Sequence, residues 1–206
     1  MRIFMTVIFL AIAISMAACS GNKDVVNQPV ATQKPRPEWV DREPDNSGDS
    51  MYFVGLSTPV STEAQARDEA MAHSSRQVVR YMGEMVKTKY DRARVSFGLS
   101  SSVQDPTVSM KAFDKALAAN MVEKLKAREW YVIQVNTHTG PGWKAYVLSY
   151  IPMSVVEEGY KETAQDMAAK AQKKARQESN EQAKQQYEDA SDFWKKLAEE
   201  GFTDAD

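Results

Sequence analysis

The chain is predicted to adopt an α+β fold: a small antiparallel sheet of about three strands, two helices packed on one face, and a long C-terminal helix. Three observations carry that expectation. From Ala127 to Ile151 apolar residues alternate with a period of two on either side of turn chemistry. Between Thr62 and Lys126 they recur at helical spacing, twice. After Pro152 the chain becomes charged and alanine-rich, with no strand pattern and no turn signal strong enough to divide it.

Residues 1–18 precede all of this and have the layout of a secretory leader. Arg2 is followed by an apolar run from Ile3 to Ile14 and then by small residues. That run is well short of the roughly 20 residues a helix needs to cross a bilayer. Met16-Ala17-Ala18-Cys19 ends it and supplies the single cysteine of the 206-residue chain. Cys19 is expected to become the N-terminus and to be the lipid attachment site. A diacyl pair holds a protein stably at a membrane where one chain would not. The alternative is an ordinary cleaved leader with a stray thiol, a liability in an oxidising compartment. Ser20 follows the cysteine, and no intrachain disulfide is available to staple the fold.

Residues 19–50 read as a polar linker punctuated by Pro29, Pro35, Pro37 and Pro44. Trp39 stands out within it. It is expected to fold back onto the domain, where one buried indole can pin a strap; the other reading is a partner-facing hot spot.

The domain is expected over residues 51–152. Met51 to Ser57 is a strand by its aromatic and branched content, ended by Pro59. Thr62 then caps a helix to about Tyr90, with Gln65 at the reciprocal capping-box position and Ala66, Ala70, Val78, Met82, Met85 and Val86 on one face. Val95 to Leu99 could be a short strand. Asp105-Pro106 opens a second helix to about Lys126, burying Met110, Phe113, Leu117 and Met121. In the hairpin, Tyr131, Ile133 and Val135 face one way and Trp130 and Val132 the other, with a turn at Thr139-Gly140-Pro141-Gly142. Both faces carry apolar residues. One belongs to the helices; the other calls for the strap, the tail or another subunit.

Residues 153–206 form the charged helical tail, with Ser154 as its cap and one helix reaching about Glu200. Tyr160, Ala164, Met167 and Ala171, then Tyr187, Ala190, Trp194 and Leu197, keep near-heptad spacing. Such a helix bridges solvent or sits on a partner; the plainer reading is a partly frayed charged tail.

Lipidated cysteine, proline linker, Pro-x-Trp-Val, Tyr52-Phe53-Val54-Gly55-Leu56-Ser57, an alanine-rich helix and Tyr146-Val147-Leu148-Ser149-Tyr150-Ile151-Pro152 together resemble the lipoprotein-20 family of bacterial outer-membrane lipoproteins, the FlgP-like proteins. The likeness covers about Pro37 to Pro152. It implies a compact α+β domain, sometimes assembled into rings or oligomers, with no enzyme activity, and a place at the outer membrane, on its periplasmic or its surface face.

Nothing in the sequence advertises chemistry. His73 and His138, the only histidines, lie far apart without ligand spacing. Gly-x-Ser-x-Gly, Ser-x-x-Lys and glycine-rich phosphate loops are missing. Lys and Arg number 26 against 28 Asp and Glu, a formal charge of −2, which offers no basic surface for nucleic acid. The expectation is therefore no catalytic residue, no cofactor, no metal and no small-molecule substrate. The membrane engages through Cys19, and a protein partner or a second copy engages elsewhere. Two function classes follow: an envelope scaffold or assembly protein, or a tethered periplasmic regulator of a cell-wall synthase or of a secretion or flagellar machine.

Overall fold

A computed structural model describes residues 35–46, 48–96 and 106–202. Cys19, the leader, most of the linker and the Asp105 cap lie outside them. Three strands, β1 (Ser50–Leu56), β2 (Lys126–Thr137) and β3 (Gly140–Pro152), form one antiparallel sheet in the order β1-β3-β2. Among the described residues four α-helices accompany them: α1 (Glu63–Ser96), α2 (Pro106–Lys124), α3 (Met153–Gln177) and α4 (Glu181–Glu200). The α+β expectation is met.

Period-two patterning sorts the sheet into two faces as read from the sequence. Met51 and Phe53 of β1 and Ile151 of β3 enter the main core with Val78, Met82, Phe113, Leu117 and Met121 from the helices. Tyr131, Ile133, Val135 and Tyr146 form a separate cluster on the opposite face. Helix α1 is able to lie directly on the sheet because its contact residues are small. Ala66 and Ala70 are fully buried against Ala145 and Val147. At Gly55 the approach is closest, since a Cβ there would lie 2.1 Å from the Ala70 carbonyl oxygen. Ser74 continues the stripe and shares a buried hydrogen bond with Ser149, whose hydroxyl also donates to the Phe53 carbonyl at 3.0 Å. A polar group is thereby satisfied inside the helix–sheet seam.

Several boundaries differ from the sequence reading. Thr62 does cap α1, its Oγ1 accepting the Gln65 N–H at 3.2 Å. The helix runs on past Tyr90, however, and takes in Val95 and Ser96, while Phe97 to Leu99 of the expected short strand lie outside the described residues. The hairpin turn is only His138-Thr139, with Gly140 at φ +120° and Pro141 already in β3 opposite Asn136. Proline is tolerated there because its missing N–H would point away from β2, where no ladder bond is required. Helix α3 starts at Met153 with Pro152 as its N-cap residue, so Ser154 sits inside the first turn rather than capping it.

The C-terminal segment is helical, as expected, but it is two helices rather than one. Buried alanines carry α3 as far as Ala175, and the chain turns at Glu178-Ser179-Asn180. There the Glu178 carboxylate accepts the N–H groups of Ser179 and Asn180, and Asn180 Oδ1 caps α4 through the Ala183 N–H, each at 3.0 Å. Helix α4 folds back along α3. Its Phe193, Trp194 and Leu197 are at most 4 % exposed, and Trp194 stacks on Phe113 at 5.0 Å between centroids. This segment finds its seat on its own domain.

Candidate functional site

The face of the sheet away from the helices is where the sequence left a cover to be found. The strap supplies it. Pro37 starts a single 3-10 turn, Glu38–Val40, in which the Asp41 and Arg42 N–H groups both donate to the Glu38 carbonyl at 3.0 and 2.9 Å. This tight turn aims Trp39 and Val40 at the Tyr131, Ile133, Val135 and Tyr146 cluster. The Trp39 indole N–H donates to Glu129 on β2 at 2.8 Å, so its polar end is satisfied while its rings cover the sheet. Arg36 makes two bonds to Asp41, at 2.9 and 2.6 Å, and stacks 5.3 Å from the centre of the Tyr146 ring. The hydrogen bond to Asp41 holds its guanidinium above the ordinary arginine pKa. Lys144 approaches the same ring at 5.1 Å, giving Tyr146 a cation on each of two contacts.

Beyond the turn the strap reaches the outer edge of β1. Just past β1, Ser57 donates its N–H to the Ala145 carbonyl of β3 at 2.9 Å, so the alternation of an antiparallel ladder turns the N–H groups of Gly55 and Phe53 toward β3 and those of Val54 and Tyr52 outward. Both are taken by strap side chains: Asn46 Oδ1 accepts from Tyr52 at 2.7 Å and Glu43 Oε1 accepts from Val54 at 3.2 Å. An exposed strand edge is a template for stray pairing, and here two of its donors are occupied without a fourth strand.

Between strap and sheet lies a groove of about 480 Å³ whose walls include Trp39, Arg42, Glu43, Tyr52, Arg128 and Leu148. Arg128 Nη1 donates to the Tyr52 hydroxyl at 2.6 Å, fixing one wall. The groove combines aromatic faces with charges of both signs and contains no nucleophile–base pair.

The residues singled out from sequence are not gathered by the fold. Cys19 lies outside the described residues. His73 is in the middle of α1 and His138 is in the hairpin turn. Among the described residues no group of three or more His, Cys, Asp or Glu side chains is spaced to hold a metal ion, and no helix is long and apolar enough to cross a membrane. Trp39 folds back onto the domain as the sequence predicts, and it lands on the face that Tyr131, Ile133 and Val135 share. Glu43 and Asn46 carried no signal of their roles, because only the register of β1 shows which amides need a partner.

The fold and site together define a class: a three-stranded sheet clamped between a helical layer and an N-terminal strap. Comparison with protein-family models, curated proteins and solved structures gives no match to this chain.

Proposed function

We propose that this chain is a non-catalytic, lipid-anchored envelope protein with a structural, scaffolding or assembly role at the outer membrane. One observation carries the reading. The segment that follows the Cys19 linker is pinned across the sheet by Trp39, Glu43 and Asn46, so force or position imposed at Cys19 reaches the folded domain through a bonded strap. A freely hinged tether would need none of these bonds. The leader and the residues around Cys19 support membrane attachment, and the likeness to the lipoprotein-20 family supports the outer membrane and the lack of catalysis. The second reading, a tethered periplasmic regulator, draws on the mixed-charge groove beside the strap, which offers a docking place for a polar partner segment.

Mass analysis of the mature protein tests the anchor. Two acyl chains on Cys19 are expected, and Cys19→Ala should move the protein from the membrane to the soluble fraction. An unmodified thiol at Cys19 would remove the proposal. Deleting residues 22–34, which leaves the strap intact, separates the two roles: a scaffold working at the membrane keeps its function, and a regulator that depends on reach loses it.

A further inference from the structure

The groove between strap and sheet holds more polar groups than the strap needs to stay in place. Four carboxylates and two guanidinium groups line it, beside the aromatic surfaces of Trp39 and Tyr52. Two of the carboxylates have a structural bond. Glu129 Oε2 accepts the Trp39 indole N–H at 2.8 Å, and Glu43 Oε1 accepts the Val54 N–H at 3.2 Å. Each carboxylate has a second oxygen that this bond does not use. Arg128 gives one N–H to the Tyr52 hydroxyl at 2.6 Å, out of the several that a guanidinium carries. The side chains of Glu38, Arg42 and Asp45 are exposed and have no bonded partner among the described residues. The wall of the groove is fixed and its rim is uncommitted.

The composition of the lining selects among ligands. A simple anion meets four carboxylates against two arginines, and a simple cation meets the two arginines on the same walls. An apolar ligand finds only Leu148 and Pro44 beside the aromatic rings. An extended peptide would bond to the outer edge of β1, where Asn46 and Glu43 already take the Tyr52 and Val54 N–H groups. What fits is a neutral ligand that donates and accepts at neighbouring atoms and has a flat C–H face for an aromatic ring. A sugar ring has all three properties. Its hydroxyls donate to carboxylates and accept from guanidinium groups, and its C–H face is apolar. The volume of about 480 Å³ lies within the usual range for a small-ligand site.

From this we infer that the groove is a glycan-binding site. Sugar rings lie against the Trp39 and Tyr52 surfaces, Arg42 and Arg128 donate to ring hydroxyls, and Glu38 and Asp45 accept from them. No covalent bond is made or broken. Two envelope glycans share this chemistry: the sugar strand of the cell wall and the saccharide part of lipopolysaccharide. Use of the site to join the membrane to a glycan rests on the scaffold reading; the binding itself does not.

The test uses the full-length chain in a detergent without a sugar headgroup. Three probes are compared: intact cell-wall sacculi by co-sedimentation, and by calorimetry both soluble cell-wall glycan strands freed of their peptides and the lipid-free oligosaccharide of lipopolysaccharide. Binding to one of the two soluble glycans is expected, and the one that binds identifies the source. The Trp39 indole N–H resonance should shift on binding while that of Trp194, in the core, stays in place. Arg42→Ala combined with Asp45→Ala should weaken binding about tenfold or more at an unchanged melting midpoint, because neither side chain bonds to the fold. Failure of both soluble glycans to bind overturns the inference, as does binding that leaves the Trp39 resonance unmoved or that the double variant leaves intact. Binding to sacculi that disappears when the peptides are removed also overturns it, because the chain would then be reading peptide. Acylation of Cys19, read by mass in the same preparation, stands or falls separately.

Discussion

The Glu43 carboxylate accepts the Val54 N–H at 3.2 Å across eleven residues of chain, and Asn46 does the same for Tyr52 at 2.7 Å. These bonds make the strap part of the sheet. Replacing either residue by Ala should cost about 1 kcal/mol, the net worth of one such bond. Amide exchange checks it residue by residue. Asn46→Ala should speed exchange at Tyr52 alone and Glu43→Ala at Val54 alone; protection that stays unchanged at both would show that the strap does not seal this edge.

Gly55 is required by packing rather than by backbone angle. A Cβ at this position would meet the Ala70 carbonyl at 2.1 Å, Val147 at 2.8 Å and Ser74 at 2.9 Å, and a backbone oxygen cannot step aside. Gly55→Ala should therefore destabilise the protein by about 3 kcal/mol, at the top of the usual range for overpacking. Gly159→Ala meets the flexible end of Met121 and should cost less. Urea unfolding of the two variants measures the contrast, and equal losses would sink the explanation.

Trp194 belongs to the main core, stacked on Phe113 and 5.8 Å from Tyr90. Trp194→Ala should cost about 3–5 kcal/mol. Removing residues 178–206 should abolish cooperative unfolding instead of trimming a tail. A truncated chain that melts with an unchanged midpoint would mean that α4 is dispensable.

Asp114 faces α1 at Gly83 with Oδ1 buried and without a hydrogen-bond partner among the described residues, and burial raises its pKa. A raised value means that folding disfavours the ionised form. The associated stability is fully present below the unfolded carboxylate value of 3.8 and is lost as pH rises through the higher folded value. Asp114→Asn should thus raise the melting temperature at pH 7, with the gain vanishing below about pH 4. A gain that persists unchanged in acid would point to a cause other than charge.

Alternation of apolar residues, helix caps and proline positions are local properties, and they were enough to read the strands, their faces, α1 and α2, and the return of Trp39 onto the sheet. What they could not reveal are relationships between distant segments. The long charged C-terminal stretch looked too polar to bury itself because its apolar contact is concentrated in Phe193, Trp194 and Leu197, and the Asn180 cap that turns them inward is one weak local signal among many. Whether the edge of β1 has free donors depends on its register with β3, and whether Gly55 can be replaced depends on how near α1 comes. Burial and hydrogen-bond direction arise only when segments far apart in the chain are brought together, so the coverage of each face and edge of this sheet had to be settled in three dimensions.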